Sequence, residues 1–150
     1  MQLNFPPIDA QIRVQNGKQF IYDIIRKKYI ALTPEEWVRQ HLVHFLINER
    51  QCPKGLIAVE RGLKHNGLQR RFDVVVYSRN LTPWLIVECK APQVAITQQT
   101  FDQIARYNMS LQVPYLLVTN GLQHFCCEID YLQRSFSYLQ DMPFFYSSKE

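Results

Sequence analysis

RRFDVVVYSRNLTPWLIVECKAP, residues 70–92, holds two apolar runs, one interrupted by an acid and the other by an acid–lysine pair. Val74–Val76 and Leu85–Val87 are short and rich in β-branched residues, the pattern of strands buried on both faces. Ser78–Pro83 joins them as a six-residue loop. If that loop closes a symmetric antiparallel hairpin, Tyr77 faces Trp84, Val75 faces Ile86 and Asp73 faces Glu88. Side chains alternate along a strand, so Asp73, Val75 and Tyr77 share a face with Trp84, Ile86, Glu88 and Lys90. Two carboxylates then stand about 5 Å apart with an ammonium further along the same face. A slip of one residue would undo this arrangement.

Like charges held that close repel. Either one carboxyl keeps its proton or a cation neutralises both. The apolar flanks offer no solvated face, so a cation with oxygen ligands is the natural resident. Mg2+ needs only one or two carboxylates together with water and substrate phosphate. Lys90 beside it would activate the attacking water or neutralise charge on a scissile phosphate. E-x-K pairs also occur on ordinary exposed strand faces. Here the pair interrupts an apolar run, an acid lies opposite, and a polar helix follows.

That helix is expected from about Thr97 to Leu111, with Phe101, Ile104, Ala105 and Leu111 as its buried stripe. Gln99, Gln103 and Tyr107 are spaced by four and form one polar row along its edge. Upstream, Thr33 as cap, Pro34 at the first position and Glu36 closing a capping box start another helix. It ends near Arg50, and Val38, Leu42, Phe45 and Leu46 form its apolar stripe. At about 100° per residue, Glu35 falls near the stripe, whereas Glu36 points away and serves the cap. An inward Glu35 needs a partner, either a metal shared with Asp73 and Glu88 or a salt bridge with Arg39.

Further out, Asn16-Gly17 marks a hairpin over residues 10–32. Leu56–Glu60 reads as a strand and 64–67 as a turn. Val113–Thr119 and Leu122–Ile129 are strands separated by Asn120-Gly121, and the tail with Phe144–Tyr146 packs on the body. Hairpin, helix, three strands, helix and two strands predict an α/β fold, bordering on α+β, with a mixed sheet flanked by helices.

The 150 residues fit one domain, 1–150, with the N-terminal hairpin at 10–32 and the core at 33–129. Apolar residues make up 47% and charged residues 20%, which excludes a disordered chain. No apolar run is long enough to span a membrane. The first residues lack a basic-then-apolar leader, so a cytoplasmic protein is expected. The net charge of +4 tolerates a polyanionic partner. Cys52, Cys89, Cys126 and Cys127 lack zinc spacing and read as structural thiols.

Asp73 followed by Glu88-x-Lys90 resembles the PD-(D/E)xK nuclease signature, with Phe72 where that signature has Pro. The upstream helix acid and Gln103-x-x-x-Tyr107 resemble the RecB-type variant. TPEEWVRQ (33–40), RFDVVVY and VECKAP are similar to the N-terminal nuclease domain of type I restriction enzyme R subunits, over about residues 30–120. The resemblance implies a restriction-endonuclease-like central mixed sheet and Mg2+-dependent cleavage of DNA, with Mn2+ as a substitute. It implies Asp73, Glu88 and Glu35 as metal ligands, Lys90 serving the water, and Gln103 with Tyr107 as the downstream motif. Arg39, Arg61, Lys64, Arg70 and Arg71 are candidates for DNA phosphate contacts. A double-strand cut needs two such sites, which a homodimer would supply. Restriction-complex subunits are the other implied partners. No G-x-x-x-x-G-K-[ST] loop is present, so neither ATP nor a helicase motor is expected. The alternative is a non-catalytic nucleic-acid-binding or protein-interaction module.

Overall fold

Asn16 and Gly17 both take positive φ, 52° and 77°, the turn geometry an Asn-Gly pair favours. They join β1 (Ile12–Gln15) to β2 (Lys18–Asp23). The structure, a computed structural model describing residues 2–145, adds a third strand, β3 (Lys28–Ala31). The expected hairpin is therefore a three-stranded antiparallel meander, in the order β1-β2-β3. Its second turn is built by Asp23, whose carboxylate accepts the backbone N–H groups of Ile25 and Arg26. Such a turn uses neither Gly nor Pro and gives little sequence warning.

Helix α1 (Pro34–Arg50) starts as expected, with the Thr33 hydroxyl accepting the Glu36 N–H at 3.0 Å. It ends at Gln51, which adopts the left-handed conformation at φ 63°. Val38, Leu42 and Leu46 are fully buried along the stripe. The two acids of its first turn are reversed relative to the helical wheel: Glu36 is buried and Glu35 is exposed. The wheel assumes one buried face, but α1 has two. Beside the sheet-facing stripe, Glu36, Arg39, Gln40 and Val43 form a second buried row at helical spacing. Gln40 and His44 there border a small cavity shared with Ile21, Tyr22 and Ile24 of the N-terminal meander and its second turn.

The main sheet runs β4 (Ile57–His65), β5 (Leu68–Tyr77), β6 (Pro83–Cys89), β7 (Tyr115–Thr119), β8 (His124–Asp130) and β9 (Ser135–Leu139), in that spatial order. Among the described strands only β6 and β7 pair in parallel, and α2 (Gln98–Asn108) makes the crossover this requires. One core layer joins the α1 stripe to Val74, Val76, Leu85 and Val87. The other joins Phe101 and Ala105 of α2 to Phe72, Val75 and Ile86. The result is the expected α/β architecture: a mixed six-stranded sheet with a helix on each face. Strand β9 falls in the stretch left to the tail; it is half-exposed and lacks a clear apolar run. The tail packs as expected at Phe145, whose ring lies 5.3 Å from Trp84; Tyr146 lies outside the described residues. No helix among the described residues is long and apolar enough to cross a membrane. The four cysteines are buried and unpaired.

The N-terminal segment is tied to the β7–β8 turn. Asn4 donates its backbone N–H to the Gly121 carbonyl and its side-chain amide to the Leu122 carbonyl, both at 2.7 Å. Gly121 has φ +87°, and a Cβ there would lie 2.8 Å from a Leu3 methyl and 3.1 Å from a Val38 methyl. Gly121→Ala combines a disfavoured φ with overpacking, so a loss of about 1–3 kcal/mol is expected. A thermal melt checks this, and an unchanged melting temperature would contradict it.

Candidate active site

The strand pairing at the centre of the sheet matches the expected register. Val74 faces Val87, Val75 faces Ile86 and Val76 faces Leu85. A bulge then places Tyr77 opposite Pro83 rather than Trp84, which sends Trp84 into the α1-side core.

At the other end the ladder stops before Asp73 and Glu88. On the far side of β5, pairing to β4 skips from Val59↔Val74 to Arg61↔Phe72. Between them Glu60 takes φ 52°, a left-handed residue inside a strand. Side-chain alternation resets across this break, so Phe72 and Val75 share the α2 side. Asp73 turns toward α1, where its Oδ1 lies 3.7 Å from the Arg39 guanidinium. Its Oδ2 accepts the Cys89 N–H at 2.7 Å, so a side chain replaces a backbone rung. The two strands part here, leaving a notch.

Val87 and Cys89 both pack toward α1, so Glu88 between them faces the α2 side. The expected single-face pair is thus corrected: Asp73 and Glu88 enter the notch from opposite sides of the sheet. They still feel each other. Burial, the largest influence, pushes the Glu88 carboxyl above its ordinary range; Lys90 and Arg70 oppose this, and the Asp73 charge adds to it. Burial likewise raises Asp73, against the Cys89 N–H, Arg39 and Lys90. Glu35 is raised by burial and then by Asp73, with Arg39 and Lys90 opposing. Lys90, just past the end of β6, therefore acts on all three acids.

Glu88 Oε2 is buried with no hydrogen-bond partner. An orphaned buried carboxylate oxygen is costly, and a divalent ion is the kind of partner it lacks. Among the described residues, however, no three acidic, histidine or cysteine side chains gather into one ligand set. Asp73 and Glu88 could supply two oxygen ligands to an ion that keeps several waters, as Mg2+ does. Glu35 lies at the exposed rim, within electrostatic reach but not in a three-acid cluster.

The downstream row is placed on α2. Tyr107 is 55% exposed, and Arg70 stacks over its ring at 3.9 Å. Arg70 also acts on Glu88, so it links the Tyr107 row to the notch. Gln103 is exposed one turn earlier on the same helix.

The basic candidates divide. Arg61, Lys64, Arg70 and Arg71 lie on the β4–β5 arm, which extends beyond the β6 pairing. Arg61 donates to the Tyr77 hydroxyl at 3.5 Å, and Arg71 pairs with Glu60 at 3.0 Å. Arg39 is different: only 8% exposed, it bonds Glu36 through Nε at 3.0 Å and through Nη2, and reaches Glu60 at 3.4 Å. It is an internal cation rather than a surface charge. Burial disfavours its charged form, but Glu36 and Asp73 outweigh burial and raise its pKa.

Arg26, Gln40, Glu36 as a buried acid, and Glu60 are missed from sequence. Glu36, Arg39 and Gln40 stand at i, i+3 and i+4, a spacing that signals contact. Glu60 and Arg26 carry no comparable signal.

Sheet order, flanking helices and a notch bearing acids and a lysine place the molecule in the restriction-endonuclease-like class of folds. A family model described as the type I restriction enzyme R protein N terminus matches residues 34–143, and the chain belongs to that family. No curated protein matches it.

Proposed function

We propose that the chain is a metal-dependent deoxyribonuclease module that hydrolyses DNA phosphodiesters at the β5–β6 notch. The observation that carries this is Glu88 Oε2, buried and unpartnered beside Asp73 and Lys90. Membership of a restriction-enzyme family supports the substrate class.

Asp73 and Glu88 would hold Mg2+, or Mn2+ in its place. When bound, the ion supplies Lewis acidity at the phosphate and a more acidic water. The Cys89 N–H holds Asp73 Oδ2, and Oδ1 keeps a long 3.7 Å approach to Arg39, so a lone pair remains for ligation. Lys90 orients the attacking water or neutralises a non-bridging phosphate oxygen as charge builds there. Glu35 at the rim would act through bound water. Arg70, stacked on Tyr107 and acting on Glu88, would link the Tyr107 hydroxyl to the notch, with Gln103 one turn earlier on the helix. Arg61, Lys64 and Arg71 on the β4–β5 arm would meet phosphates and set the strand's register without reading bases. DNA and other subunits of a restriction complex are the partners this assigns. A second copy of the chain would serve a double-strand cut.

The test is nicking of supercoiled plasmid DNA. Cleavage is expected with Mg2+ or Mn2+ and should vanish when EDTA removes the metal. Salt-sensitive DNA binding with no cleavage in either metal would overturn the nuclease proposal and favour a binding module.

A further inference from the structure

The N-terminal meander lies outside the matched family region, yet it sends one side chain into the charge cluster behind the notch. Arg26, in the turn between β2 and β3, is anchored by Asp23, which takes its Nε at 2.6 Å and is 1% exposed. From there Nη2 reaches Glu36 Oε1 and Nη1 reaches Glu60 Oε1, each at 3.4 Å. Arg39 contacts the same two oxygens from the other side. The remaining Arg39 nitrogen, Nη1, is the one that meets Asp73.

Three acids thus compete for one buried guanidinium. Glu36 and Glu60 touch Arg39 more closely than Asp73 does. Arg71 satisfies only Glu60 Oε2 and does so from a largely exposed position, where screening weakens it. Arg26 is the second cation on the inner oxygens of both competitors. We propose that Arg26 is a positioning residue for Asp73: by occupying Glu36 and Glu60, it leaves Arg39 free to hold the Asp73 carboxylate at the notch.

This rests on the nuclease proposal for its readout of cleavage, but metal affinity tests it without DNA. Arg26→Gln keeps a donor for Asp23 while removing the charge. Mn2+ affinity, measured by calorimetry, is expected to fall about tenfold, with a matching loss in kcat for plasmid nicking and little change in KM. Adding Glu60→Gln removes the competitor that Arg26 had neutralised. The double variant is expected to recover to within about threefold of wild type, which a merely structural role for Arg26 would not produce. Melting curves confirm that both variants fold.

Wild-type Mn2+ affinity in Arg26→Gln, or a double variant no better than the single one, overturns the positioning role alone. Mn2+ binding that follows this pattern in a protein that never cuts DNA overturns the nuclease proposal alone. No Mn2+ binding in the wild type removes the site, and the positioning role with it.

Discussion

Lys90→Met is expected to lower Mg2+-dependent plasmid nicking by about 10^3-fold, within the range for removing a positioned proton-transfer or charge-stabilising group. Lys90 is the common neighbour of Glu35, Asp73 and Glu88, and its charge acts on each of them. Methionine keeps the apolar stem and removes only the ammonium. That ammonium also competes with a divalent ion for the carboxylates, so Mn2+ affinity should be retained or rise. Lost cleavage with intact metal binding is thus the signature. Nicking within threefold of wild type would remove Lys90 from the chemistry.

Glu88→Gln is expected to abolish cleavage and yet stabilise the metal-free protein. Its carboxyl is held above the ordinary range by burial, only partly offset by Lys90 and Arg70. The folded state then keeps this proton to higher pH than the unfolded chain does. Stability is unaffected by Glu88 below the unfolded pKa and is lost as pH rises through the folded one. Glutamine carries no charge into that site. At neutral pH the metal-free variant should therefore melt at a higher temperature than wild type. The gain should shrink toward zero as pH falls below 4.5, the ordinary Glu value. A variant that melts lower than wild type at neutral pH would show that Glu88 is a stabilising partner rather than a strained ligand.

These two substitutions separate what the sequence makes legible from what it hides. The register of Val74–Val76 against Leu85–Val87 follows from a symmetric loop and alternating side chains, and it holds. The approach of Asp73 does not follow. Its face changes where the β4–β5 ladder skips the rung between Asp73 and Glu60, a left-handed residue that no Gly announces. Strand periodicity has no means of detecting such a break. The exchange of Glu35 and Glu36 has a different cause. A helical wheel finds one apolar face, whereas α1 buries a second, charged face against the meander. Long-range ion pairs such as Arg26 with Glu60 leave no local pattern at all. Strand β3 was hidden because its turn is made by an Asp side chain.

The central claim is that Asp73 and Glu88 together hold a divalent ion at the notch. Calorimetric titration of Mn2+ into the wild type and Asp73→Ala, in the absence of DNA, tests it directly. The wild type should bind one ion and Asp73→Ala none. Equal binding in both proteins, or no binding in either, would contradict the account.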